Sequence, residues 1–259
     1  MLIGPQRLSK IYRVQPQGIL HVGAHHAEEA TQYESTGWFP VYWVDANGDA
    51  LQQARKFCQM FPNFHHLFFQ GLIWSSSGKI LDFNIANNGQ SSSIYSLGTH
   101  KESYPDIGYT SVSKIKSISI EDLIPLRYFF DFINLDIQGA ELEAIKGLGN
   151  RIESVKYIYT EVNVKPVYKN ISLVNEIDDY LSALGFVRVA TYWQARVGWG
   201  DALYLHKSHI DKFSLIQKIL IVGTQYVYNL LWLKDMFRRI FQKFTILIRL
   251  LLSYRMNFL

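Results

Sequence analysis

The sequence predicts an α/β protein with an open, mostly parallel sheet finished by an antiparallel hairpin. Three observations carry this. Short β-branched and aromatic runs alternate with helix-like stretches, as in successive βαβ units. Several of these runs end directly in a glycine or an acid. The last two runs, Phe186 to Tyr192 and Asp201 to His206, are separated only by the turn-rich stretch Gln194 to Gly200.

Each element follows from its residues. Gly18-Ile-Leu-His-Val22 reads as a buried strand, with a helix from about Glu28 to Ser35. Val41 to Val44 is a second strand, and Asp49 to Phe61 a helix with Asn47 or Asp49 near its start, where such side chains accept free N–H groups. His66 to Ile73 is a third strand candidate. Leu81 to Ile85 alternates like an exposed strand, Asn87 to Ser93 is a polar loop, and Ile115 to Ile120 alternates again before a short helix at Glu121-Asp122. Phe129 to Leu135 and Val155 to Val162 are buried strands. Gly139 to Leu148 is a helix stopped by Gly147 or Gly149, and Leu173 to Leu184 one closed by Gly185.

Composition narrows the classes. With 259 residues, 48% hydrophobic and 19% charged, the chain can bury a large core, and disorder or coiled coil is excluded as its main architecture. The single Cys58 rules out a disulfide framework and any cysteine-built metal site, and it fits a reducing, cytoplasmic compartment. Met1 to Gln17 lacks the apolar run of a secretory signal, and no segment reaches the 18 or more apolar residues of a spanning helix. Up to His206 there are 17 Lys and Arg against 20 Asp and Glu, a net −3; beyond it there are nine against two, a net +7. The basic balance belongs to the tail, so no nucleic-acid partner is expected.

In open α/β sheets, ligands bind beyond the carboxyl ends of the strands. The first such end is His21-Val-Gly23-Ala24-His25-His26. Here Gly23 lets the backbone turn tightly and approach a ligand, although a tight turn alone needs no ligand. The second is Asp45, 22 residues on, placed to accept ribose hydroxyls or to cap the next helix. The third is Asn134-Leu-Asp136-Ile-Gln138-Gly139-Ala-Glu141. Asp136 ends an apolar strand, where burial without a partner is costly, whereas Glu141 suits the first turn of a helix. Glu161 is a fourth strand-end acid. Asp136, Glu161 and Asn163 together offer oxygen ligands to a divalent ion, but their spacing fixes no geometry, and no metal is assigned.

Ile19-Leu-His-Val-Gly-Ala-His25, Trp43-Val-Asp-Ala-Asn47, Asn88-Gly-Gln-Ser-Ser-Ser93, Asn134-Leu-Asp-Ile-Gln-Gly-Ala-Glu141, Thr160-Glu-Val-Asn163 and Gly198-Trp-Gly-Asp-Ala-Leu-Tyr204 stand in this order. In these six segments the chain resembles the FkbM family of S-adenosylmethionine-dependent methyltransferases, from about Gly18 to His206. The resemblance implies a class I methyltransferase (Rossmann-like) fold: a seven-stranded, mostly parallel sheet with an antiparallel last strand. It also implies that His21, Gly23, Ala24, His25, Asp45 and Asp136 contact S-adenosylmethionine, with Asp45 on the ribose. The chain departs from the family where an acid commonly stands at His21, for which Glu28 or Glu29 is a substitute, and where Gln138 replaces a common Glu. Asp136 is the first candidate base, Glu161 the second, and His25 or His26 the third.

After His206 the composition shifts, giving an expected methyltransferase domain over 1–206 and a basic helical tail over 207–259. Ile219 to Leu233 is uncharged. Leu233, Met236, Phe237, Ile240, Phe241, Phe244, Leu247, Ile248 and Leu251 then recur at helical steps, opposite Arg238, Arg239 and Arg249. This pattern suits an anchor on an anionic membrane, peripheral on its inner face, or packing on the body or on a second copy in a homo-oligomer.

The expected function is O-methylation of a hydroxyl on a glycan, glycolipid or secondary metabolite acceptor. Two rivals share some of the features. An NAD-dependent oxidoreductase is disfavoured by the missing glycines and the closing hairpin. A membrane-associated scaffold with a vestigial cofactor pocket is suggested by His21 and Gln138.

Overall fold

The computed structural model describes residues 1–61, 65–194, 197–219 and 221. In chain order its elements begin with α1 (Pro5–Tyr12), β1 (Ile19–Val22), α2 (Ala30–Thr36), β2 (Val41–Asp45), α3 (Gly48–Cys58) and β3 (His66–Gln70). There follow β4 (Leu72–Ile73), β5 (Ile80–Ala86), α4 (His100–Ser103), β6 (Tyr109–Ile118), α5 (Ile120–Leu123), β7 (Phe132–Leu135) and α6 (Glu141–Lys146). The chain then forms β8 (Tyr157–Asn163), α7 (Val174–Ala183), β9 (Phe186–Trp193), β10 (Trp199–His206) and α8 (Lys207–Ile210).

A seven-stranded sheet runs β3-β2-β1-β7-β8-β10-β9. Its first five strands are parallel; β10 lies antiparallel to β8 and to β9. This is the expected α/β fold with its closing hairpin, and strand order reverses between β1 and β7, the place where such sheets bind ligands. Both faces of the central strands are buried, and β1, β2, β7 and β8 divide their residues between them with a period of two. Ile19, Trp43, Phe132 and Tyr159 belong to one core; Leu20, Val44, Ile133 and Ile158 belong to the other.

The boundaries differ from the sequence reading where a side chain or a turn intervenes. The run His66 to Ile73 divides at Gly71, whose N–H completes the β2 ladder on the Asp45 carbonyl (3.0 Å). Leu72 and Ile73 then join a second, three-stranded sheet in the order β4-β6-β5. The helix expected from Glu28 starts at Ala30, because His25 (φ 42°) and Ala27 (φ 59°) hold the preceding segment in left-handed turns. The helix expected from Gly139 starts at Glu141, and α1 is an element the sequence did not announce.

Packing on the body continues past His206. The His209 ring lies edge-on to Tyr157, with centroids 4.8 Å apart, and its Nε2 is 3.1 Å from the Tyr12 carbonyl; Phe213 joins the core. Among the described residues no helix is long and apolar enough to cross a membrane. The amphipathic stripe from Leu233 onward lies outside the described residues.

Candidate active site

The ends of β1, β2, β7 and β8 converge beside the switch point. A narrow cleft of about 70 Å³, lined by Gly23, Asp45, Ala46, Leu72, Phe83 and Asp136 among others, lies next to a wider cavity of about 380 Å³ bounded by Glu29, Gln90, His100, Glu161, Tyr168 and Trp199 among others. Gly23, His25, Gln90, Asp136 and Gln138 border both. Residues of the polar loop after β5 border both spaces as well, and that loop is tied across the site by Ser93 Oγ donating to the Gln138 carbonyl at 2.7 Å.

Gly23 is required by its neighbour. It has φ 89°, and a Cβ there would drive into the Asp136 carbonyl. The tight crossing of β1 past β7 therefore needs glycine whatever the ligand. Ala24 is buried behind it.

Asp45 accepts the His25 backbone N–H on Oδ2 and the Asn47 N–H on Oδ1, each at 2.8 Å. Burial raises its pKa, against the pull of those N–H groups. The helix cap is supplied instead by Asn47, whose Oδ1 accepts from Asp49 and Ala50. A carboxylate has about four acceptor positions, so Asp45 keeps capacity for hydroxyls in the cleft.

His21 is buried on the face that carries Trp43. Its ring lies 4.7 Å from the Trp43 ring, centroid to centroid, with Nδ1 3.1 Å from the Tyr33 hydroxyl. Burial lowers its pKa to about 4, so the ring is neutral near pH 7. Glu29 borders the wider cavity and holds the Met1 ammonium at 3.0 Å. Burial works against its charge, but His21 and that ammonium outweigh it, and the Glu29 pKa is lowered.

Asp136 and Glu161 form the acidic centre. Gln138, with φ 55°, donates from Nε2 to Asp136 Oδ1 (2.7 Å) and to Glu161 Oε2 (3.3 Å), while its Oε1 accepts from the Tyr168 hydroxyl (2.6 Å). Asp136 is open to the cavity on one side and crowded by protein on the others. Desolvation, then the charge of Asp201, pushes its pKa up to about 6. Glu161 is buried, and desolvation followed by the charges of Asp136 and Glu141 raises it well above the carboxylate range. The antiparallel register places Asp201 opposite Glu161.

Asn163 donates to Glu161 Oε1 at 3.2 Å and leaves its own Oδ1 buried without a partner. The expected oxygen trio of Asp136, Glu161 and Asn163 is thus threaded by amide donors, an arrangement that opposes a cation. Glu141 serves the backbone instead. Its Oε1 accepts the Ile137 and Gly139 N–H groups, both at 3.1 Å, and staples the turn after β7. Burial raises Glu141 to about 7.

The structure brings His21, Gly23, His25, Asp136 and Glu161 to the wider cavity and Asp45 to the adjoining cleft. Sequence reasoning gave no site role to Gln138, Gln90, His100 or Tyr168. Gln138 had a signal, as the polar residue between Asp136 and Gly139, and Gln90 lies in the quoted segment Asn88 to Ser93; His100 and Tyr168 come from segments whose position depends on the fold.

The family model described as the Methyltransferase FkbM domain matches residues 21–188. No curated protein matches the chain. Among solved structures, the Synechocystis PCC 6803 magnesium protoporphyrin IX methyltransferase with bound SAM is 10% identical, over 73% of this chain and 69% of that one, with a TM-score of 0.41. TrmK of M. capricolum, in complex with S-adenosyl-homocysteine, is 11% identical over 79% and 69%, with a TM-score of 0.41. The ribosomal protein L11 methylase of Lactobacillus delbrueckii subsp. bulgaricus is 12% identical over 78% and 77%, with a TM-score of 0.44.

Proposed function

The chain belongs to the FkbM methyltransferase domain family, and on that premise we propose that it methylates a hydroxyl of a glycan, glycolipid or secondary metabolite, using S-adenosylmethionine. The observation that carries the hydroxyl acceptor is Asp136: a carboxyl raised to about 6, bordering both the narrow cleft and the wider cavity. A hydroxyl must lose its proton as its oxygen is methylated, and a base with a pKa near the working pH takes it most effectively.

The residues of the cleft suit the cofactor. Gly23 borders the cleft, Asp45 has acceptor capacity for the ribose hydroxyls, and Ala46, Leu72 and Phe83 offer apolar surface to the base. Bound there, S-adenosylmethionine supplies an electrophilic methyl group. The protein's own part is alignment and proton removal. Gln138, held by Tyr168, fixes Asp136 Oδ1 and leaves Oδ2 to receive the acceptor's proton. Glu161, kept protonated by burial, adds a hydroxyl donor and spares the site a second negative charge. The loop carrying Gln90 and Ser91 borders the junction.

Calorimetry with S-adenosylmethionine, S-adenosylhomocysteine and NAD tests the cofactor. The first two should bind and NAD should not; binding of NAD alone would favour an oxidoreductase, and binding of none the scaffold. A screen of hydroxylated acceptors with labelled methyl donor then tests the substrate class.

We extend the proposal to the basic stripe beyond Ile221, as an anchor on anionic membrane. Each Lys or Arg near such a surface contributes about 1 kcal/mol. The full chain should sediment with anionic vesicles and a chain ending at Ile221, which keeps His209 and Phe213, should not. Equal sedimentation of the two would remove the anchor.

A further inference from the structure

The rim of the wider cavity carries a donor set that the methyl-transfer reading does not need. His25, His26 and Glu28 each present one ligand atom, and the three atoms lie within 4.8 Å of one another. The two imidazoles stack with centroids 3.8 Å apart and planes 22° from parallel, and His25 Nδ1 is 2.7 Å from Glu28 Oε1. The left-handed turns at His25 and Ala27 bring the three side chains to one side of the loop between β1 and α2.

Ligands about 2.0–2.2 Å from a tetrahedral ion stand about 3.3 Å from one another. The cluster reaches that spacing by small side-chain rotations, since His26 and Glu28 are exposed and able to turn. Two imidazoles and one carboxylate match zinc-class ions, which favour nitrogen donors, and do not match magnesium or calcium, which favour oxygen. Negative charge stands close by: Glu29 is the next residue, and Asp45 binds the His25 backbone N–H at 2.8 Å.

We propose that His25, His26 and Glu28 hold a divalent transition-metal ion of the zinc class, with an open fourth position toward the acceptor cavity. His25 and Glu28 border that cavity, and His25 also borders the cleft beside it, so the ion sits at the seam between the two. An oxygen of the acceptor is the natural fourth ligand. The rival account is a turn fastened by the His25–Glu28 hydrogen bond alone. His26 separates the two accounts, for it stacks on His25 but has no part in that hydrogen bond.

The experiment uses the full chain, stripped with a chelator and titrated with Zn²⁺ against an indicator dye, and with Co²⁺ by visible absorption. Binding is the readout, so neither the cofactor nor turnover enters it. One equivalent of Zn²⁺ should bind, millimolar Mg²⁺ should not displace it, and Co²⁺ should give a tetrahedral spectrum. His26→Ala and Glu28→Gln should each weaken Zn²⁺ binding by at least about tenfold, the cost of losing a mere outer-shell partner of a ligand, with the melting temperature of the metal-free His26→Ala protein unchanged. Absence of stoichiometric binding, an affinity for His26→Ala equal to the parent's, or displacement by Mg²⁺ would overturn the site.

Discussion

At the end of β2, Asp45 gives each carboxylate oxygen its own backbone N–H; at the ends of β7 and β8, Asp136 and Glu161 share one amide, that of Gln138. The first arrangement is fixed by the chain itself, because the donors belong to loops anchored in the sheet. The second leaves two acids sharing the Gln138 amide, with Asn163 as a further donor to Glu161 alone, and the charge of Asp136 disfavours that of Glu161. Desolvation by the surrounding protein raises the pKa in both places, but only at Asp136 and Glu161 do like charges add to it. An acid held by backbone is suited to binding; an acid held in competition with another is suited to exchanging a proton.

The largest expected effect breaks the proton-exchanging side. Asp136→Asn keeps the shape and removes the base, so turnover should fall about 10²- to 10⁴-fold while cofactor affinity stays near the parent's. Single-turnover kinetics beside calorimetry would check this. Equal losses in both would make Asp136 a binding acid like Asp45, and the contrast would vanish.

The binding side is tested next. Asp45→Ala should weaken cofactor affinity by about 1.5–3 kcal/mol, as for hydrogen bonds to a charged acceptor. Turnover at saturating cofactor should change little. Unchanged affinity in a folded protein would leave Asp45 only the role of holding the His25 and Asn47 N–H groups.

The smallest effect sharpens the contrast through pH. Asp136 is raised from 3.8 to about 6 and Glu141 from 4.5 to about 7. In that window the folded protein binds more protons than the unfolded chain, so stability is full below about pH 4 and declines as pH rises through 6 and 7. Glu28, lowered from 4.5 to about 2 by its hydrogen bond to His25 against partial desolvation, acts in the opposite sense, its stabilisation being lost as pH falls from about 4.5 toward 2. Melting temperatures between about pH 4 and 8 should therefore fall less steeply in Glu141→Gln than in the parent. An identical slope would place the titrating groups elsewhere.

The fold was legible because its strands are short apolar runs and its punctuation is local. Gly23, Asp45 and Gly185 sit where strand and helix ends need them, and the hairpin from Phe186 to His206 is contiguous. The strand-end acids were legible for the same reason: their places follow from sequence neighbours. What could not be read is what distant segments bring. Tyr168 reaches Gln138 from 30 residues away, and His100 meets Tyr168 ring to ring with centroids 5.4 Å apart. The division of His66 to Ile73 between two sheets was hidden for a related reason, since β-branched and aromatic runs look alike whichever sheet they join.

That division at Gly71 has a consequence for redesign. Leu72 and Ile73 start a small sheet whose hairpin, β5 and β6, carries residues 80–118, and the polar loop over the cavity hangs from it. Its ladders are separate from those of the seven-stranded sheet, which holds Asp45, Asp136 and Glu161. The molecule is therefore built as a fixed workbench and an exchangeable tool-holder. Changes to the exposed hairpin can reshape what enters the cavity without breaking a ladder of the seven-stranded sheet, whereas the loop it carries is itself paired to the segment after β8, Leu97 bridging Tyr168.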